Sequence, residues 1–379
     1  MSRLHRSASA QMSRPAISIQ KSGGWTFGSP SVLMMFYRAP GELQSELQEM
    51  DECMPHYYKI TNGHGQGAET IMRAEADFMR ACFADAQIML ERAYAQIDGN
   101  GQENMALCCD FLAWRLSLCT SFTPRESFEQ RREALLGLHN VAWLNILQSS
   151  CAYYYALLGL PEKIPAVFRE HQLASIHFLA PGKPMMELIE NQVYLAQGEY
   201  AKVIGHSEAL LGMCEAMHYA LVALHIRLQT AAAYEMLGKR ETADELLISA
   251  LAAAEPDALY LPFVENYRYL KTALTRGAGA KFAAFVRTVT PLGEDFVRRC
   301  GEKRAEGSRP AALAGLTERE SAIAALVAKR LSNREIAEQL FLSEGSVKQY
   351  INQIYSKLLI TGDVRTKRKR LAELAAPKS

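Results

Sequence analysis

The sequence predicts an all-α protein in which an array of helical hairpins is followed by a smaller helical domain. Between Glu42 and Arg299, apolar residues recur at helical spacing and strand-like alternation is scarce. Four glycine-centred phrases repeat in the second half of that region, and two helix-start signatures follow beyond residue 315. With 379 residues, the chain exceeds one ordinary core and is expected to divide into two or three units.

The expected boundaries follow changes in composition along the chain. We expect a partly disordered N-terminal segment over residues 1–45 and a helical repeat domain over 46–300. A polar stretch with glycine and proline, which is typical of a domain boundary, predicts a linker over 301–312. The second domain is expected over 313–379.

The composition indicates a cytoplasmic globular protein. Hydrophobic residues make up 49% of the chain and charged residues 22%, so a packed core is expected. The eight cysteines show no C-x-x-C spacing and lie mostly in apolar helical stretches, which is typical of free thiols in a reducing compartment. The N-terminus lacks a signal-peptide core, and the apolar run VLMMFY is too short to cross a bilayer. We therefore expect no membrane partner.

The repeated phrases each combine an apolar helix, a glycine, a few polar residues and a second apolar helix. They are YALLGLPEKIPAVF, YLAQGEYAKVI, YEMLGKRETADELL and ALTRGAGAKFAAFV, with Gly159, Gly198, Gly238 and Gly277 at intervals of 39, 40 and 39 residues. Extrapolation backward gives Thr120 and Ala81, and an apolar–turn–apolar pattern surrounds Ala81. The array resembles tetratricopeptide repeats with a longer period. Such arrays bind peptides, proteins or small ligands, and many serve only as scaffolds.

Charge is distributed unevenly between the two ends. Residues 308–379 hold thirteen Lys and Arg against seven Asp and Glu, a formal charge of +6, although the whole chain carries only +1. The preceding residues therefore carry −5. A basic end on an acidic body suggests a polyanionic partner for that end alone, whereas the alternative is a solvated helix face.

Two capping boxes predict consecutive helix starts in the basic domain. Thr317 and Glu320 form the first box, and Ser332 and Glu335 form the second. Ser343 can cap a third helix, and the short interval Phe341–Ser343 suits the corner of a helix-turn-helix. Glycine is frequent in such corners where this chain has Phe341.

The third predicted helix has the pattern of a recognition helix. Val347, Ile351, Ile354 and Leu358 form one apolar stripe. Lys348, Gln349 and Asn352 lie on the opposite face. Lysine donates to guanine, and Asn or Gln pairs bidentately with adenine. These three residues are the predicted base-contacting set, with double-stranded DNA as the partner.

Phosphate contacts are expected at the helix starts, where backbone amides favour anions. The predicted residues are Ser332, Asn333, Ser343, Ser346 and Lys357. The basic cluster of residues 365–370 suggests a fourth helix that contacts either phosphate or a second copy of the chain.

No catalytic or cofactor site is expected, so the chain is not predicted to be an enzyme. The loop NGHGQGA contains G-x-G-x-x-A at Gly63, Gly65 and Ala68, but helix-like sequence follows it instead of a β-α-β unit. We interpret it as a helix–helix connection. The sequence contains no G-x-x-x-x-G-K-[ST] phosphate loop and no H-E-x-x-H, and no metal site is expected.

The segment LTERESAIAALVAKRLSNREIAEQLFLSEGSVKQYINQIYSKL closely resembles the DNA-binding domain of LuxR-type regulators. The resemblance covers roughly the last 65 residues and implies a four-helix domain whose third helix enters the major groove. It also implies a homodimer on paired half-sites, with RNA polymerase as a further partner. The family's groove-facing positions fall on Lys348, Gln349 and Asn352, and Tyr350 stands where many members have histidine.

The helical array resembles the sensor region of MalT-like regulators. Those proteins carry an N-terminal NTP-hydrolysing domain, whose phosphate loop is not in this sequence. The segment from Ser22 to Leu47 is then expected to be the junction where that domain would have ended. Nucleotide control is not carried over to this chain.

Together these features predict a sequence-specific DNA-binding transcriptional regulator. Its helical array is expected to sense an unknown small ligand or partner protein. The alternative is a tetratricopeptide-like scaffold or adaptor protein with a vestigial DNA-binding tail.

Overall fold

The computed structural model describes residues 28–61, 63–99, 101–176, 180–277, 279–307 and 315–375, and every regular element in these ranges is a helix. The all-α prediction is confirmed for this part of the chain. The contacts divide the protein into two compact units, Met1–Cys300 and Gly301–Ser379. No helix within the described ranges is long and apolar enough to span a membrane.

Consecutive helices connected by short turns build the first unit. Its first eight α-helices are α1 (Leu33–Phe36), α2 (Leu43–Ile60), α3 (Ala68–Met79), α4 (Phe83–Ile97), α5 (Glu103–Cys119), α6 (Phe128–Leu136), α7 (Val141–Leu158) and α8 (Ala166–Arg169). The next seven are α9 (Lys183–Gln197), α10 (Tyr200–Met217), α11 (Ala220–Met236), α12 (Arg240–Ala254), α13 (Leu261–Glu265), α14 (Tyr267–Gly277) and α15 (Ala283–Gly307). Helical hairpins form where α3 packs on α4, α9 on α10, and α11 on α12.

Three of the four predicted turn glycines have the expected left-handed backbone. Gly159, Gly198 and Gly238 follow α7, α9 and α11 with φ angles of 72°, 78° and 75°. Ala81, which the repeat spacing placed between α3 and α4, also has a left-handed backbone, with φ of 59°. The repeat spacing therefore located these turns correctly, including one without glycine.

Gly277 has a different role from the other three glycines. It is the last residue of α14 and its φ lies outside the left-handed region. A Cβ atom at this position would lie 3.0 Å from Oδ1 of Asp244, a carboxylate that binds Arg276. The glycine therefore leaves room for the Asp244 carboxylate, which a Cβ here would have to displace slightly.

The second helix predicted after Gly159 does not form over its expected length. The chain makes a 3₁₀ turn at Pro161–Lys163 and then the four-residue helix α8. Pro161 and Pro165 lack backbone N–H donors, and proline disfavours helical backbone in the residue that precedes it. The hairpin is incomplete here, and the likeness to tetratricopeptide repeats remains a prediction.

The expected N-terminal segment contributes to the array core. Residues 1–27 lie outside the described residues. Residues 28–43, here called the inner segment, include the fully buried side chains of Val32, Leu33 and Met34. The backbone N–H of Leu33 donates to Glu75 at 2.7 Å, and the Tyr37 hydroxyl donates to Asp257 at 2.6 Å. The packed core therefore begins before the expected boundary at residue 45, because this apolar run is buried by distant helices.

A buried ion pair connects helices that are far apart in sequence. Arg115 of α5 donates to both carboxylate oxygens of Glu265 at 2.8 and 3.1 Å, and both side chains are 1% exposed. The Tyr153 hydroxyl donates to the same carboxylate at 2.8 Å. The rings of Phe78 and Phe111 lie 4.8 and 5.1 Å from the guanidinium carbon. These groups surround a pair of opposite charges inside an apolar core, where an unpaired charge would be costly.

The expected linker over 301–312 is partly helical. Helix α15 continues to Gly307, so residues 301–307 are helical instead of irregular. Residues 308–314 lie outside the described residues. The polar composition of this segment is compatible with an exposed helix, and composition alone does not distinguish a linker from such a helix.

The turn glycines provide a direct stability test. We expect Gly198→Ala to lower the free energy of unfolding by about 1 kcal/mol. An L-residue in the left-handed region costs roughly 1–2 kcal/mol, which the reduced entropy of the unfolded chain only partly offsets. Gly205→Ala is the matched control, because Gly205 lies within α10 and a Cβ there meets nothing within 4 Å. It should raise stability by about 0.5–1 kcal/mol in urea denaturation. Shifts of the same sign in both variants would contradict this interpretation.

Candidate nucleic-acid interface

Four helices within residues 315–375 of the second unit pack around an apolar core of their own. They are α16 (Glu318–Ala328), α17 (Asn333–Leu340), α18 (Glu344–Lys357) and α19 (Val364–Ala375). Helix α16 packs against α17, α18 and α19, and α17 packs against α18. The buried residues of this core are Leu316, Ile323, Ala324, Val327, Ile336, Ala337, Val347, Ile351, Ile354, Tyr355, Ile360 and Leu371.

Both predicted capping boxes are confirmed. Thr317 Oγ1 accepts the backbone N–H of Glu320 at 3.3 Å, and Glu320 Oε2 accepts that of Thr317 at 2.8 Å. In the second box, Ser332 Oγ accepts the backbone N–H of Glu335 at 3.3 Å, and Glu335 Oε2 accepts that of Ser332 at 2.7 Å. Hydrogen bonds from Ser332 lower the pKa of Glu335. Each box satisfies amides that a helix start leaves without a partner within the helix.

The corner between α17 and α18 has the geometry of a helix-turn-helix. Phe341 ends α17 with a left-handed backbone, at φ of 52°, and its side chain is 95% exposed. The N–H of Leu342 returns to the carbonyl of Ala337 at 2.9 Å. Ser343 then caps α18 by accepting the N–H of Ser346 at 3.0 Å. An aromatic residue therefore occupies a conformation that glycine adopts without steric cost.

Helix α18 separates a buried stripe from an exposed polar face. Val347, Ile351 and Ile354 are at most 4% exposed. Lys348, Gln349 and Asn352 lie on the exposed face, where Asn352 follows Gln349 by three positions and Lys348 by four. Side chains at this spacing are neighbours on a helix surface. The three predicted base-contacting residues are therefore brought together on one accessible face.

The predicted phosphate-contacting residues at the helix starts already have intramolecular partners. The hydroxyls of Ser332 and Ser343 are capping groups, and Ser346 Oγ lies 2.8 Å from Ser343 Oγ. Asn333 Oδ1 accepts from Arg368 Nη1 at 2.7 Å. These side chains cap and hold the helix starts, and a helix start carries partial positive charge from its backbone amides.

Lys357 is also paired within the domain. Its Nζ lies 2.7 Å from Glu320 Oε2, and that carboxylate is nearly buried while Lys357 is half-exposed. Burial raises the pKa of Glu320, but hydrogen bonds from Lys357 and Thr317 outweigh this effect, so the net shift is downward. The charge of Lys357 is therefore partly neutralised within the domain.

Arg368 was not identified as a structural residue from the sequence. Its guanidinium donates to Asn333 and, at 2.6 Å, to the carbonyl of Leu331, so α19 is bound to the start of α17. Lys367 lies 5.9 Å from the ring centre of Tyr355. Arg365 and Arg370 are exposed. The basic cluster therefore divides into residues that hold the domain together and residues that face solvent.

No metal centre is found among the described residues. In these ranges, no group of three or more His, Cys, Asp or Glu side chains has an arrangement that could hold an ion. The residues before the G-x-G-x-x-A loop belong to helix α2, which ends at Ile60, so a helix precedes the loop where a dinucleotide site requires a strand. Gln102 binds this loop through the N–H of Gly65 and the carbonyl of Gly63.

The capped helices, the corner and the polar face of α18 define a helix-turn-helix domain. Residues 314–368 match the family described as bacterial regulatory proteins, luxR family. The C-terminal unit is therefore a LuxR-family helix-turn-helix domain, as the sequence resemblance predicted.

Two curated relatives each match a short part of the chain. Transcriptional regulatory protein LnrK of Bacillus subtilis (strain 168) is 41% identical over 63 residues, which cover 16% of this chain and 29% of the relative. DNA-binding transcriptional activator DevR/DosR of Mycobacterium tuberculosis is 39% identical over 46 residues, covering 12% of this chain and 21% of the relative. The match thus spans less than a third of either relative. No solved structure matches the chain.

Proposed function

We propose that the protein is a sequence-specific DNA-binding transcriptional regulator. Its second unit binds double-stranded DNA, and its helical array senses a small ligand or a partner protein. The observation that carries the DNA-binding proposal is the structure of α18, where Val347, Ile351 and Ile354 anchor the helix and leave Lys348, Gln349 and Asn352 exposed. The relatives' names as a transcriptional regulatory protein and a transcriptional activator support the regulatory role.

Base recognition is assigned to the three exposed residues of α18. Helix α18 enters the major groove, Lys348 donates to guanine O6 or N7, and Gln349 or Asn352 pairs with adenine. Backbone amides at the starts of α17 and α18 bind phosphates, because these helix ends carry partial positive charge. The exposed Lys348, Arg365 and Arg370 add the charge that makes such binding salt-dependent.

We also propose that two copies bind DNA together. Leu359 and Val364 are apolar and are 85% and 80% exposed at the connection between α18 and α19. A second copy that covered them would remove apolar surface from water. Two-fold symmetry would then require paired half-sites in the DNA.

Substitutions in α18 test the assignment of the recognition residues. We expect Lys348→Ala and Asn352→Ala each to weaken specific DNA binding by about 1–3 kcal/mol and to relax the base preference. Lys357→Ala is the matched control on the same helix. It should cost less, because Glu320 already neutralises that lysine. The measurement is fluorescence anisotropy at several salt concentrations, with a DNA site selected from a randomised pool by the parent protein.

Two outcomes would contradict the proposal. Parent-like DNA binding by both alanine variants at every salt concentration would remove α18 from the role of recognition helix. Failure of the intact protein to enrich any sequence from the pool would favour the scaffold or adaptor alternative, in which the array binds a partner protein and the C-terminal domain is vestigial.

A further inference from the structure

A cleft of about 810 Å³ lies within the helical array. Helices α10, α11 and α12 line it together with Tyr37 and Arg38 of the inner segment. The backbone carbonyl of Tyr37 accepts the N–H of Ala220 at the start of α11, at 3.0 Å, so the inner segment is fixed to one wall. This volume lies within the range of small-molecule binding sites in proteins.

Two of the lining helices each present one face to the cleft. Helix α11 contributes Ala220, Ala223, Leu224 and Arg227, which follow one another at i, i+3, i+4 and i+7. Helix α10 contributes Glu208, Leu211, Gly212 and Glu215 with the same spacing. Each wall therefore combines apolar surface with charge, positive on α11 and negative on α10.

Arg227 differs from the other buried or partly buried arginines in the described part of the array in having no partner. Its side chain is partly buried, yet it makes no ion pair or hydrogen bond to any described residue. The other buried or partly buried arginines in the described part of the array all donate to a carboxylate or carbonyl group, and they are Arg73, Arg115, Arg131, Arg268 and Arg299. A partly buried guanidinium is less hydrated than an exposed one, and an anion from outside would supply it with an acceptor.

The acidic residues of the cleft are also unpaired. Glu208 and Glu215 are exposed on α10 and take part in no ion pair among the described residues. Arg38, the other arginine in the lining, is already bound by Glu46 and Glu49. Among the described lining residues, the unpaired Arg227 therefore lies on α11, and the two unpaired carboxylates of Glu208 and Glu215 lie on α10. Arg227 is not in ion-pair contact with either carboxylate.

A covalent role for the cleft is not favoured. Cys214 is a lining residue, but its side chain is buried, and burial raises the pKa of the thiol to about 12. The thiol therefore remains protonated at neutral pH, and the thiolate is the nucleophilic form. The lining residues are instead suited to non-covalent binding through charge and apolar contact.

We propose that this cleft binds a small zwitterion, either a free amino acid or a short peptide. Arg227 binds the ligand carboxylate, Glu208 or Glu215 binds its ammonium group, and Leu211, Ala223 and Leu224 contact its apolar part. The guanidinium fork matches a carboxylate with two parallel hydrogen bonds. The regulatory meaning of this ligand rests on the proposed sensing role of the array. Binding of the ligand itself is measured without DNA.

The test uses the intact chain and isothermal titration calorimetry. The probes are the twenty L-amino acids, tested singly, and an equimolar library of unblocked tripeptides. We expect binding from at least one set, and the set that binds identifies the source of the zwitterion. Acetylation of the ammonium group or amidation of the carboxylate of the bound probe should each weaken binding about 10- to 100-fold, which is the size expected for a lost charge-assisted hydrogen bond.

Protein variants locate the site. Arg227→Met should weaken binding about 10- to 100-fold, and Arg227→Lys should retain part of the affinity because its charge remains. The double variant Glu208→Gln, Glu215→Gln should bind the unblocked probe more weakly than the parent does. Its affinity for the acetylated probe should equal that of the parent. Arg287→Met is the matched control, because Arg287 is an exposed arginine of α15 that does not line the cleft.

Several results would overturn the proposal. One is the absence of binding heat with either probe set, and another is equal affinity for blocked and unblocked probes. A third is an equal loss of probe affinity in Arg227→Met and Arg287→Met. Circular dichroism spectra that match the parent establish that the variants are folded. DNA binding by Arg227→Met without probe should equal that of the parent, so a failure of the DNA-binding proposal is detected separately.

Discussion

Replacement of Arg115 by methionine is expected to lower the free energy of unfolding by about 3–5 kcal/mol. The substitution leaves Glu265, which is 1% exposed, as a buried carboxylate with only the Tyr153 hydroxyl as a donor among the partners described above. The cost therefore comes mainly from an uncompensated buried charge. Urea denaturation followed by circular dichroism measures the change.

A double variant and a surface pair are the controls for this prediction. Arg115→Met combined with Glu265→Gln should cost less than the sum of the single changes, because neither charge then remains buried alone. Lys271→Met removes one partner of the exposed pair Lys271–Glu294 and should give no measurable change. Additive single effects at Arg115 and Glu265 would show that the two side chains do not act as a pair.

The second large effect is a dependence of stability on pH that arises from Glu75. Burial raises the pKa of this carboxyl from 4.5 to about 7, even though the N–H of Leu33 donates to it and opposes the shift. The unfolded chain therefore ionises Glu75 at a lower pH than the folded protein does. Between these two values the folded state binds more protons, so stability falls as pH rises through this window.

Glu75→Gln isolates this contribution. We expect the parent to lose about 2–3 kcal/mol of stability relative to the glutamine variant between pH 5 and pH 8. Denaturation curves of both proteins at a series of pH values measure the difference. Glu241→Gln is the control, because Glu241 is exposed on α12 and should leave the pH profile unchanged. Parallel profiles for the parent and the Glu75→Gln variant would show that Glu75 has the same pKa in both states.

The features that could be predicted from the sequence depend on residues close together in the chain. A capping box joins positions three residues apart, and the buried stripe of α18 repeats at intervals of three or four residues. The repeat spacing located the turn at Ala81 although alanine gives no local signal for a left-handed backbone. The same spacing predicted a full helix after Gly159, where the local effect of Pro161 and Pro165 was stronger.

The availability of the predicted site residues depended on distant contacts. Lys348, Gln349 and Asn352 are exposed, as the helical pattern indicated. Lys357 and Asn333 are not free, since Glu320 and Arg368 bind them across sequence separations of 37 and 35 residues. No local pattern encodes these partners, although the basic run that contains Arg368 marked a cluster of interest.

The amino-acid sequence by itself determined the helices, most of their turns and the exposed face of α18, because backbone conformation and amphipathic spacing are local properties. Only the tertiary structure decided which charges are paired. It brought Glu265 to Arg115 from 150 positions away, buried Glu75 under the inner segment and left Arg227 without a partner in the cleft. The physical reason is that the free energy of a charge depends on its distance from water and from other charges, and folding sets both distances.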